Sequence, residues 1–277
     1  MSWIHSLCLG IVQALTEFLP VSSSGHLVLF QEFLEIDEAT PAFDAMLHIG
    51  TALATICFYR KRIVQILTDS LGWGRRRFLG GEPAEAEQRE AVRLLSLIVL
   101  CTGITAVLAL PLKDLFESLF ENTTAVGVAL LLTGSLLVLT RKYQAKSADE
   151  GTNRITLLMA VLIGVAQFIA VTPGISRSGT TISIALLLGL RRRTAAEFSF
   201  LISIPAILGA NLIQLKDGGF SASPAVILLG TGASFLVGLA ALAFLIRLVN
   251  RGGFYKFAYY LLPLGALVLL FSLAGGF

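Results

Sequence analysis

The chain reads QALTEFLPVSSSGH over residues 13–26 and TPGISRSGTT over residues 172–181, and each stretch interrupts a long apolar segment. The two apolar segments, residues 3–34 and 155–190, are each long enough for two short helices. Each half of roughly 15 residues would form about 22 Å of helix, which is shorter than the ~30 Å hydrocarbon core of a membrane. Irregular backbone at membrane depth is tolerated only where protein or a water-filled cavity satisfies it. The pattern therefore predicts two re-entrant helical hairpins whose tips line a polar cavity.

The composition of the chain is that of a membrane protein. Of its 277 residues, 55% are hydrophobic and only 14% are charged, and the mean hydropathy is +0.81. Soluble domains carry about 25% charged residues, so these values exclude a disordered chain, a coiled coil, a collagen and almost every soluble enzyme. The expected fold class is an all-α polytopic membrane protein with six transmembrane helices and the two hairpins. The six segments that are long and apolar enough to span a bilayer are residues 42–59, 92–111, 123–140, 195–215, 224–246 and 254–275.

The two hairpins resemble each other at an offset of 154 residues. Three spans follow each hairpin, and because three spans cross the membrane while a hairpin returns, the second repeat is expected to be inverted. We expect one membrane domain over residues 1–277, with repeat 1 at about 1–141 and repeat 2 at about 155–277. Inverted repeats with broken helices indicate a site at the repeat interface, unless the two halves share their composition by chance. The identical pairs are Gly10 with Gly164, Gln13 with Gln167, Ser22 with Ser176, Ser24 with Ser178 and Gly25 with Gly179.

The basic residues are distributed unevenly over the two sides of this arrangement. Of 21 Lys and Arg residues, 18 lie on the side that holds the loop at 60–91 and the arginines at 191–193, whereas Lys113 and Lys216 lie on the other. This excess predicts that the first side is cytoplasmic. The first hairpin then opens to the outer side and the second to the cytoplasm, so that their tips meet inside the bilayer. The arginine runs are interpreted as topology signals rather than as a surface for nucleic acid.

Few ionisable groups remain at membrane depth in this arrangement. They are Glu17, His26 and Arg177, with His48 near the start of the third apolar segment as a fourth. Ionisable residues inside a membrane are energetically costly and indicate a functional site. Gln13 lies four residues before Glu17, so that the two side chains share a helix face.

The second break has the composition of an anion-binding turn. A Gly- and Ser-rich turn immediately before a helix presents free backbone N–H groups and the positive end of the helix dipole. Arginine adds bidentate, charge-assisted hydrogen bonds that suit phosphate, and hydroxyl groups add further donors. The sequence therefore predicts a phosphate-binding turn, formed by Gly174, Ser176, Arg177, Ser178, Gly179, Thr180 and Thr181.

A carboxylate and a histidine beside a phosphate-binding turn suggest phosphoryl chemistry. Glu17 is a candidate for binding a divalent cation or for acting as a base. His26 is a candidate nucleophile or general acid–base, and Ser23 is an alternative nucleophile if His26 or Glu17 activates it. The structural alternatives are that Glu17 only neutralises Arg177, that each serine satisfies backbone groups, and that His48 is polar packing or cavity lining.

The two motifs resemble the signature stretches of the bacterial undecaprenyl-diphosphate phosphatase family, also known as bacitracin-resistance proteins. The stretch from Gln13 to His26 matches the family's E/Q-x-x-x-E pattern with its downstream histidine, and residues 173–181 match P-G-x-S-R-S-x-x-T. The resemblance covers essentially the whole chain, including its length and the layout of its spans. Many members have Glu at the position of Gln13. Because Gln cannot act as a base and is a weaker cation ligand, Glu17 carries that role alone in this chain.

The resemblance implies hydrolysis of undecaprenyl diphosphate to undecaprenyl phosphate and inorganic phosphate. This reaction recycles the lipid carrier for cell-wall peptidoglycan synthesis and confers bacitracin resistance. The resemblance also implies a divalent cation, Mg²⁺ or Ca²⁺, with Glu17 as a ligand and Gln13 nearby. Carried over position by position, Glu17, His26 and Arg177 are the core catalytic residues, with Ser22, Ser23, Ser176, Ser178 and Thr181 as supporting positions. Ser23 also stays among the catalytic candidates as the alternative nucleophile.

The location that the resemblance implies is the bacterial plasma (inner) membrane, with the active site toward the periplasmic face. The partners are undecaprenyl diphosphate and the lipid bilayer, and a homodimer is left open. The alternative function is a secondary transporter or lipid flippase, because inverted repeats with broken helices are also a transporter architecture. A non-catalytic scaffold does not explain ionisable residues at two matching breaks. The motifs leave open whether the nucleophile is His26, Ser23 or water.

Overall fold

The computed structural model describes residues 1–34, 36, 41–79, 85–120, 122–146, 151–217 and 222–274. Within these ranges the chain is almost entirely helical, and its β-structure is an isolated parallel bridge between Thr152 and Leu190. The helices are α1 (Trp3–Phe18), α2 (Ser23–Phe33), α3 (Pro41–Leu79), α4 (Ala86–Ala109), α5 (Lys113–Phe120), α6 (Thr123–Lys146), α7 (Leu157–Ile169), α8 (Arg177–Leu187), α9 (Arg192–Asp217), α10 (Pro224–Asn250) and α11 (Ala258–Leu273), with short 3-10 helices at Leu110–Leu112 and Phe254–Phe257.

Six helical segments in the described ranges are long and apolar enough to cross a membrane, judged by length and composition. Each of them covers or closely overlaps one of the six predicted spans, which confirms the predicted fold class. The predicted end of the last span, at residue 275, lies outside the described residues. The segments are Pro41–Arg76, Ala86–Phe120, Thr123–Arg141, Arg192–Leu215, Pro224–Asn250 and Phe254–Leu273.

The predicted basic loop at residues 60–91 is wrong for most of its length. Helix α3 continues to Leu79 and helix α4 begins at Ala86, and residues 80–84 lie outside the described residues. The sequence has no proline between the start of α3 and Pro83, and Arg, Lys, Gln and Leu are strong helix formers. The helix therefore persists after the apolar part of the span has ended.

Helix α5 is an element that the sequence reasoning does not predict. It follows a 3-10 turn that contains Pro111, and it is a short helix of eight residues. Its buried residue Phe116 makes an edge-to-face contact with Phe168 of α7, with ring centroids 6.0 Å apart. This contact attaches α5 to the outside of the second hairpin.

Each of the two predicted hairpin segments forms two helices, and the break between them falls at the predicted residues. Helix α1 ends at Phe18 and packs against α2, while α7 ends at Ile169 and packs against α8. Each second helix begins with a serine N-cap, whose side-chain oxygen accepts a hydrogen bond from a backbone N–H. Ser22 accepts from Gly25 at 3.3 Å, and Ser176 accepts from Gly179 at 3.1 Å. The second helix of each hairpin is therefore capped by the same side-chain interaction.

Each hairpin also docks onto a long helix in the same way. Helix α1 packs on α10 and α7 packs on α4, each through a glycine of the repeated pattern. A Cβ atom at Gly10 would lie 2.5 Å from a carbonyl oxygen of α10, and one at Gly164 would lie 3.1 Å from the backbone of α4. The carbonyl of Gly10 accepts a hydrogen bond from Ser234, and that of Gly164 accepts one from Thr105. Gly10 and Gly164, which are 154 residues apart in the sequence, therefore make similar contacts.

Polar side chains are concentrated inside the helical bundle. Gln13, Thr51, Gln167, Ser178 and Ser199 are all buried, and most of the buried hydroxyl groups are Thr or Ser residues that donate to helix carbonyls. Large apolar side chains cover much of the outer surface, as expected where lipid replaces water. The interior therefore provides the hydrogen-bonding environment that the hairpin tips require.

Candidate active site

The tips of the two hairpins are in direct contact. The backbone N–H of Gly174 donates to the Ser24 hydroxyl at 3.3 Å, and the Ser178 hydroxyl donates to the carbonyl of Leu19 at 3.4 Å. A Cβ atom at Gly25 would lie 3.4 Å from the Cα of Gly174. The turns at residues 19–25 and 173–178 therefore form one junction between the two halves of the chain.

Glu17 is the centre of the hydrogen-bonding network at this junction. It lies in the last turn of α1, and only 8% of its surface is exposed. Its Oε1 atom forms an ion pair with the guanidinium of Arg177 from the second hairpin. Its Oε2 atom accepts hydrogen bonds from Ser23 Oγ at 2.6 Å and from Gln13 Nε2 at 3.3 Å. The structure thus brings three of the residues singled out by the sequence into contact with the Glu17 carboxylate.

Ser23 and Arg177 occupy equivalent positions in the two hairpins. Each is the first residue of the second helix of its hairpin, and the two are separated by the repeat offset of 154 residues. Both side chains reach Glu17, and the positive ends of the α2 and α8 dipoles lie at the same junction. The site therefore combines a hydroxyl and a guanidinium with two helix N-termini.

Two buried polar atoms at this site have no hydrogen-bond partner in the described part of the chain. One is the acceptor Gln13 Oε1 and the other is the donor Arg177 Nη1. Both belong to side chains whose other terminal atom contacts Glu17. A buried polar atom left without a partner costs about 1–3 kcal/mol. An acceptor and a donor that both lack partners are what a bound cation and a bound anion would satisfy.

The predicted phosphate-binding turn is only partly free to bind an anion. The N–H of Ser176 donates to the Thr133 hydroxyl at 3.2 Å, and the N–H of Gly179 is used by the serine cap. Within the described residues, no hydrogen bond is recorded for the N–H groups of Arg177 and Ser178. These two groups and the guanidinium are therefore the donors that remain available to a phosphate.

The hydroxyls of the second hairpin differ in their surroundings. Ser176 and Ser178 lie 3.3 Å apart at the tip. Thr181 donates to the carbonyl of Arg177 at 2.8 Å and lies 2.5 Å from the hydroxyl of Ser199 on α9. Thr180 Oγ1 is buried and has no partner in the described ranges. Thr181 therefore contacts the neighbouring helix, whereas the two serines lie at the junction.

The hydrogen bonds of the His26 ring are to residues other than Glu17. Its Nδ1 lies 2.8 Å from the carbonyl oxygen of Ser22, and its Nε2 lies 2.7 Å from the hydroxyl of Tyr260 on α11. Because a carbonyl only accepts, the neutral ring carries its proton on Nδ1, and Tyr260 donates to Nε2. In the described part of the chain no hydrogen bond joins the His26 ring to Ser23 or Arg177. Sequence reasoning missed Tyr260, since an aromatic residue in a distant span carries no signal of this pairing.

The hydrogen bonds between His26 and Ser22 stabilise a turn whose backbone is strained at Ser22. Ser22 has a φ angle of +71°, and it is the only non-glycine residue with a positive φ in the described ranges. Such a conformation persists only where the surrounding structure fixes it. The Ser22 side chain caps α2, and its carbonyl accepts from the backbone N–H of His26 as well as from the ring. His26 therefore helps to hold the first tip, next to Ser23, in shape.

His48, which the sequence assigns to polar packing or cavity lining, lies at the junction. Its Nδ1 lies 2.8 Å from the carbonyl of Asp44, so Nδ1 is the protonated nitrogen of the neutral ring. Its Nε2 lies 3.8 Å from Glu17 Oε2, and 26% of its side chain is exposed. The Asp44 carboxylate is held by Gln31 of α2, at 3.0 and 3.1 Å. Helix α3 therefore contributes a histidine to the edge of the site.

The fold and this site define a polytopic helical membrane protein in which two broken hairpins meet at a buried Glu–Arg pair. The sequence model of the family described as bacitracin resistance protein BacA matches residues 6–267. The chain therefore belongs to this family, which confirms the resemblance that the two motifs indicate.

Several relatives named undecaprenyl-diphosphatase are similar to this chain over nearly their full length. The undecaprenyl-diphosphatase of Desulfosudis oleivorans is 44% identical over 272 residues, which cover 97% of this chain and 98% of the relative. The undecaprenyl-diphosphatase of Carboxydothermus hydrogenoformans is 38% identical over 285 residues and covers 100% of both chains. That of Treponema denticola is 37% identical over 268 residues, with 96% of each chain covered.

Proposed function

We propose that this protein is an undecaprenyl-diphosphate phosphatase, which hydrolyses the lipid diphosphate to undecaprenyl phosphate and inorganic phosphate. The observation that carries the proposal is the convergence of Ser23 and Arg177 on the buried carboxylate of Glu17. Membership of the BacA family and full-length relatives named undecaprenyl-diphosphatase support it. Recycling of the lipid carrier for the cell wall and bacitracin resistance follow from this activity. The comparisons give no support to a transporter or lipid flippase.

Arg177 is proposed to bind the diphosphate. Its Nη1 atom has no partner in the described residues, and its backbone N–H lies at the start of α8. A guanidinium and helix N-terminal N–H groups bind phosphate oxygens and stabilise the charge that develops during phosphoryl transfer. Because the same guanidinium is paired with Glu17, the carboxylate fixes its orientation before substrate arrives.

Ser23 is the nucleophile that the geometry supports. Its hydroxyl donates to Glu17 Oε2 at 2.6 Å, so Glu17 is placed to accept the proton as Oγ attacks the terminal phosphorus. The bond from phosphorus to Ser23 Oγ forms while the bridging P–O bond breaks and undecaprenyl phosphate leaves. Water then attacks the phosphoserine, inorganic phosphate leaves, and the hydroxyl takes a proton back. The hydrogen bonds of His26 to Ser22 and Tyr260 favour a positioning role instead.

A divalent cation fits the donors that are present. Glu17 offers carboxylate oxygens, Gln13 Oε1 is a buried acceptor without a described partner, and hard cations prefer such oxygen ligands. No group of three or more His, Cys, Asp or Glu residues suited to a metal occurs in the described ranges. Mg²⁺ is commonly held by one or two carboxylates together with substrate phosphates. Glu17 and Gln13 would hold Mg²⁺ or Ca²⁺, and the cation would neutralise phosphate charge.

The orientation in the membrane is proposed from the charges. The excess of Lys and Arg on one side supports a cytoplasmic location for the end of α3, with the protein in the bacterial plasma membrane. The first hairpin, which carries Glu17 and Ser23, then enters as a re-entrant pair from the periplasmic side. An active site toward that face would receive a diphosphate whose prenyl tail stays in lipid.

Phosphate release in detergent tests the proposed function, because no gradient across a membrane exists there. We expect the purified protein to release phosphate from undecaprenyl diphosphate and to acquire labelled phosphate on Ser23 during turnover. Ser23→Ala should abolish the label and reduce the rate by at least about 10³-fold, since nucleophile and base act as a unit. Ser96→Ala removes an exposed hydroxyl on α4 that donates to the Val92 carbonyl, and it should keep the full rate.

Two results would contradict the proposal in different ways. Binding of the lipid diphosphate without phosphate release, together with its movement across liposomes, would favour transport. Full phosphate release by Ser23→Ala, with no label on the chain, would instead keep the activity and assign the nucleophile to water.

A further inference from the structure

A cavity with several charged residues in its lining lies between α3, α9 and α10, away from the hairpin junction. It has a volume of about 450 Å³, and its ionic lining consists of Lys61, Arg62, Arg193 and Glu197. Helix α3 runs from His48 at the junction to Lys61 at this cavity, which is thirteen residues or about 20 Å along the helix. The cavity is therefore separate from the Glu17–Arg177 site.

The charges that line this cavity do not cancel. Arg62 Nε and Glu197 Oε1 form an ion pair at 2.8 Å, and this pair uses the acidic residue of the lining. Arg62 also donates to Gln65 at 3.1 Å. Lys61 and Arg193 form no recorded hydrogen bond or ion pair with the part of the chain that the structure describes. The cavity therefore carries two positive charges that no described carboxylate compensates.

The three consecutive arginines at 191–193 do not behave alike. Arg191 Nε donates to the carbonyl of Gly151 at 2.7 Å, and Arg192 Nη1 donates to the carbonyl of Asn250 at 3.1 Å. Arg193 instead lines the cavity, in the first turn of α9. A cation in the first turn of a helix is disfavoured by the helix dipole, which favours an anion there. A bound anion at Arg193 would therefore supply its missing counter-charge and would also interact favourably with the N-terminus of α9.

Apart from Asn250, the rest of the cavity wall consists of aromatic and aliphatic side chains. Phe58 and Ile246 line it together with Tyr59, whose ring contacts Phe58 edge-on at 5.0 Å and stacks on Phe200 at 6.3 Å. A cationic rim on an apolar wall suits a ligand with a phosphate at one end and a hydrocarbon part behind it.

We propose that this cavity is a second phosphate-binding site, which takes the phosphate group of an anionic phospholipid or free inorganic phosphate. Lys61 and Arg193 supply the charge, the ion pair with Glu197 fixes Arg62 at the rim, and Phe58 and Ile246 contact the hydrocarbon when the ligand is a lipid. The site is independent of the proposed phosphatase activity, because it shares no residue with the hairpin junction.

The test is a binding titration of the purified full chain in neutral detergent with short-chain phosphatidylglycerol, short-chain phosphatidylcholine and inorganic phosphate. The variant Lys61→Gln/Arg193→Gln removes both uncompensated charges. Arg154→Gln/Arg251→Gln is the matched control, with the same change in net charge at exposed positions outside the cavity. We expect wild type and control to bind phosphatidylglycerol equally, and the cavity variant to bind it roughly 10- to 30-fold more weakly.

The two sources of phosphate give different results. If phosphatidylglycerol and inorganic phosphate compete for binding, the cavity takes a lipid headgroup. If inorganic phosphate binds but phosphatidylglycerol does not, and the cavity variant loses phosphate binding, the cavity is a site for the free ion. Phosphate release from lipid diphosphate serves as the folding control and should be unchanged in both double variants. Equal binding by the cavity and control variants, or binding of phosphatidylcholine as tight as that of phosphatidylglycerol, would overturn the proposal.

Discussion

Arg177→Ala is expected to lower phosphate release from undecaprenyl diphosphate by at least about 10³-fold, because a transition-state arginine in phosphoryl transfer contributes about 10³–10⁵ to the rate. The guanidinium pairs with Glu17 and also has a buried donor atom without a described partner. Its loss removes the phosphate ligand and leaves the Glu17 carboxylate without its counter-charge. Initial rates of the purified variant in detergent, at saturating substrate, measure the effect.

Arg177→Lys distinguishes charge from geometry at the same position. Lysine keeps one positive charge but cannot contact Glu17 and a phosphate at once through a planar fork. We expect it to recover part of the loss and to remain about 10²-fold below wild type. Arg141→Ala is the control, since Arg141 lies over the Tyr255 ring at 5.5 Å and does not contact the junction. A rate within tenfold of wild type for Arg177→Ala would contradict the assignment.

Gly174→Ala is expected to destabilise the protein and to separate the two tips. Gly174 has a φ angle of +85°, and an added Cβ would lie 2.7 Å from the carbonyl oxygen of Val126 and 2.8 Å from the Cβ of Ala129. The backbone strain and the overlap with α6 together cost about 2–4 kcal/mol. The tip cannot shift without losing the hydrogen bond from Gly174 to Ser24. Thermal unfolding and phosphate release, measured in the same detergent, should both fall.

Gly189→Ala is a matched control for backbone strain. Gly189 has a similar φ angle of +87°, but nothing lies within 4 Å of the position of its Cβ. It should lose only about 1 kcal/mol of stability and keep its activity. Equal losses in the two variants would show that the contact between the second tip and α6 does not matter.

The hairpins could be predicted from sequence because their breaks are local. Proline, glycine and serine interrupt apolar helices at Pro20 and Pro173, and the serine N-caps follow from residues only three positions away. The Glu17–Arg177 pair could also be predicted, since charges at membrane depth are few and must be compensated. Such inferences need only spacing, residue type and the cost of burial.

Other parts of the site depend on packing between distant helices. Tyr260 reaches His26 across 234 positions of sequence, and His48 reaches Glu17 because α3 packs beside α1. A single sequence does not show which face of α3 or α11 turns toward the hairpins. The sequence likewise does not show that the His26 ring is hydrogen-bonded to Ser22 and Tyr260, and its role on the substrate stays a prediction. The length of α3 was missed because an exposed basic helix and a basic loop have similar compositions.

A double-mutant cycle on Glu17→Ala and Arg177→Ala tests the central claim most directly, since it asks whether the two hairpin tips form one catalytic unit. Phosphate release from undecaprenyl diphosphate is measured for wild type, both single variants and the double variant. Residues that act as a unit lose their effect together, so we expect the double variant to be no more than about twofold slower than the slower single variant. Losses that multiply, or full activity in either single variant, would contradict a shared active site at the junction.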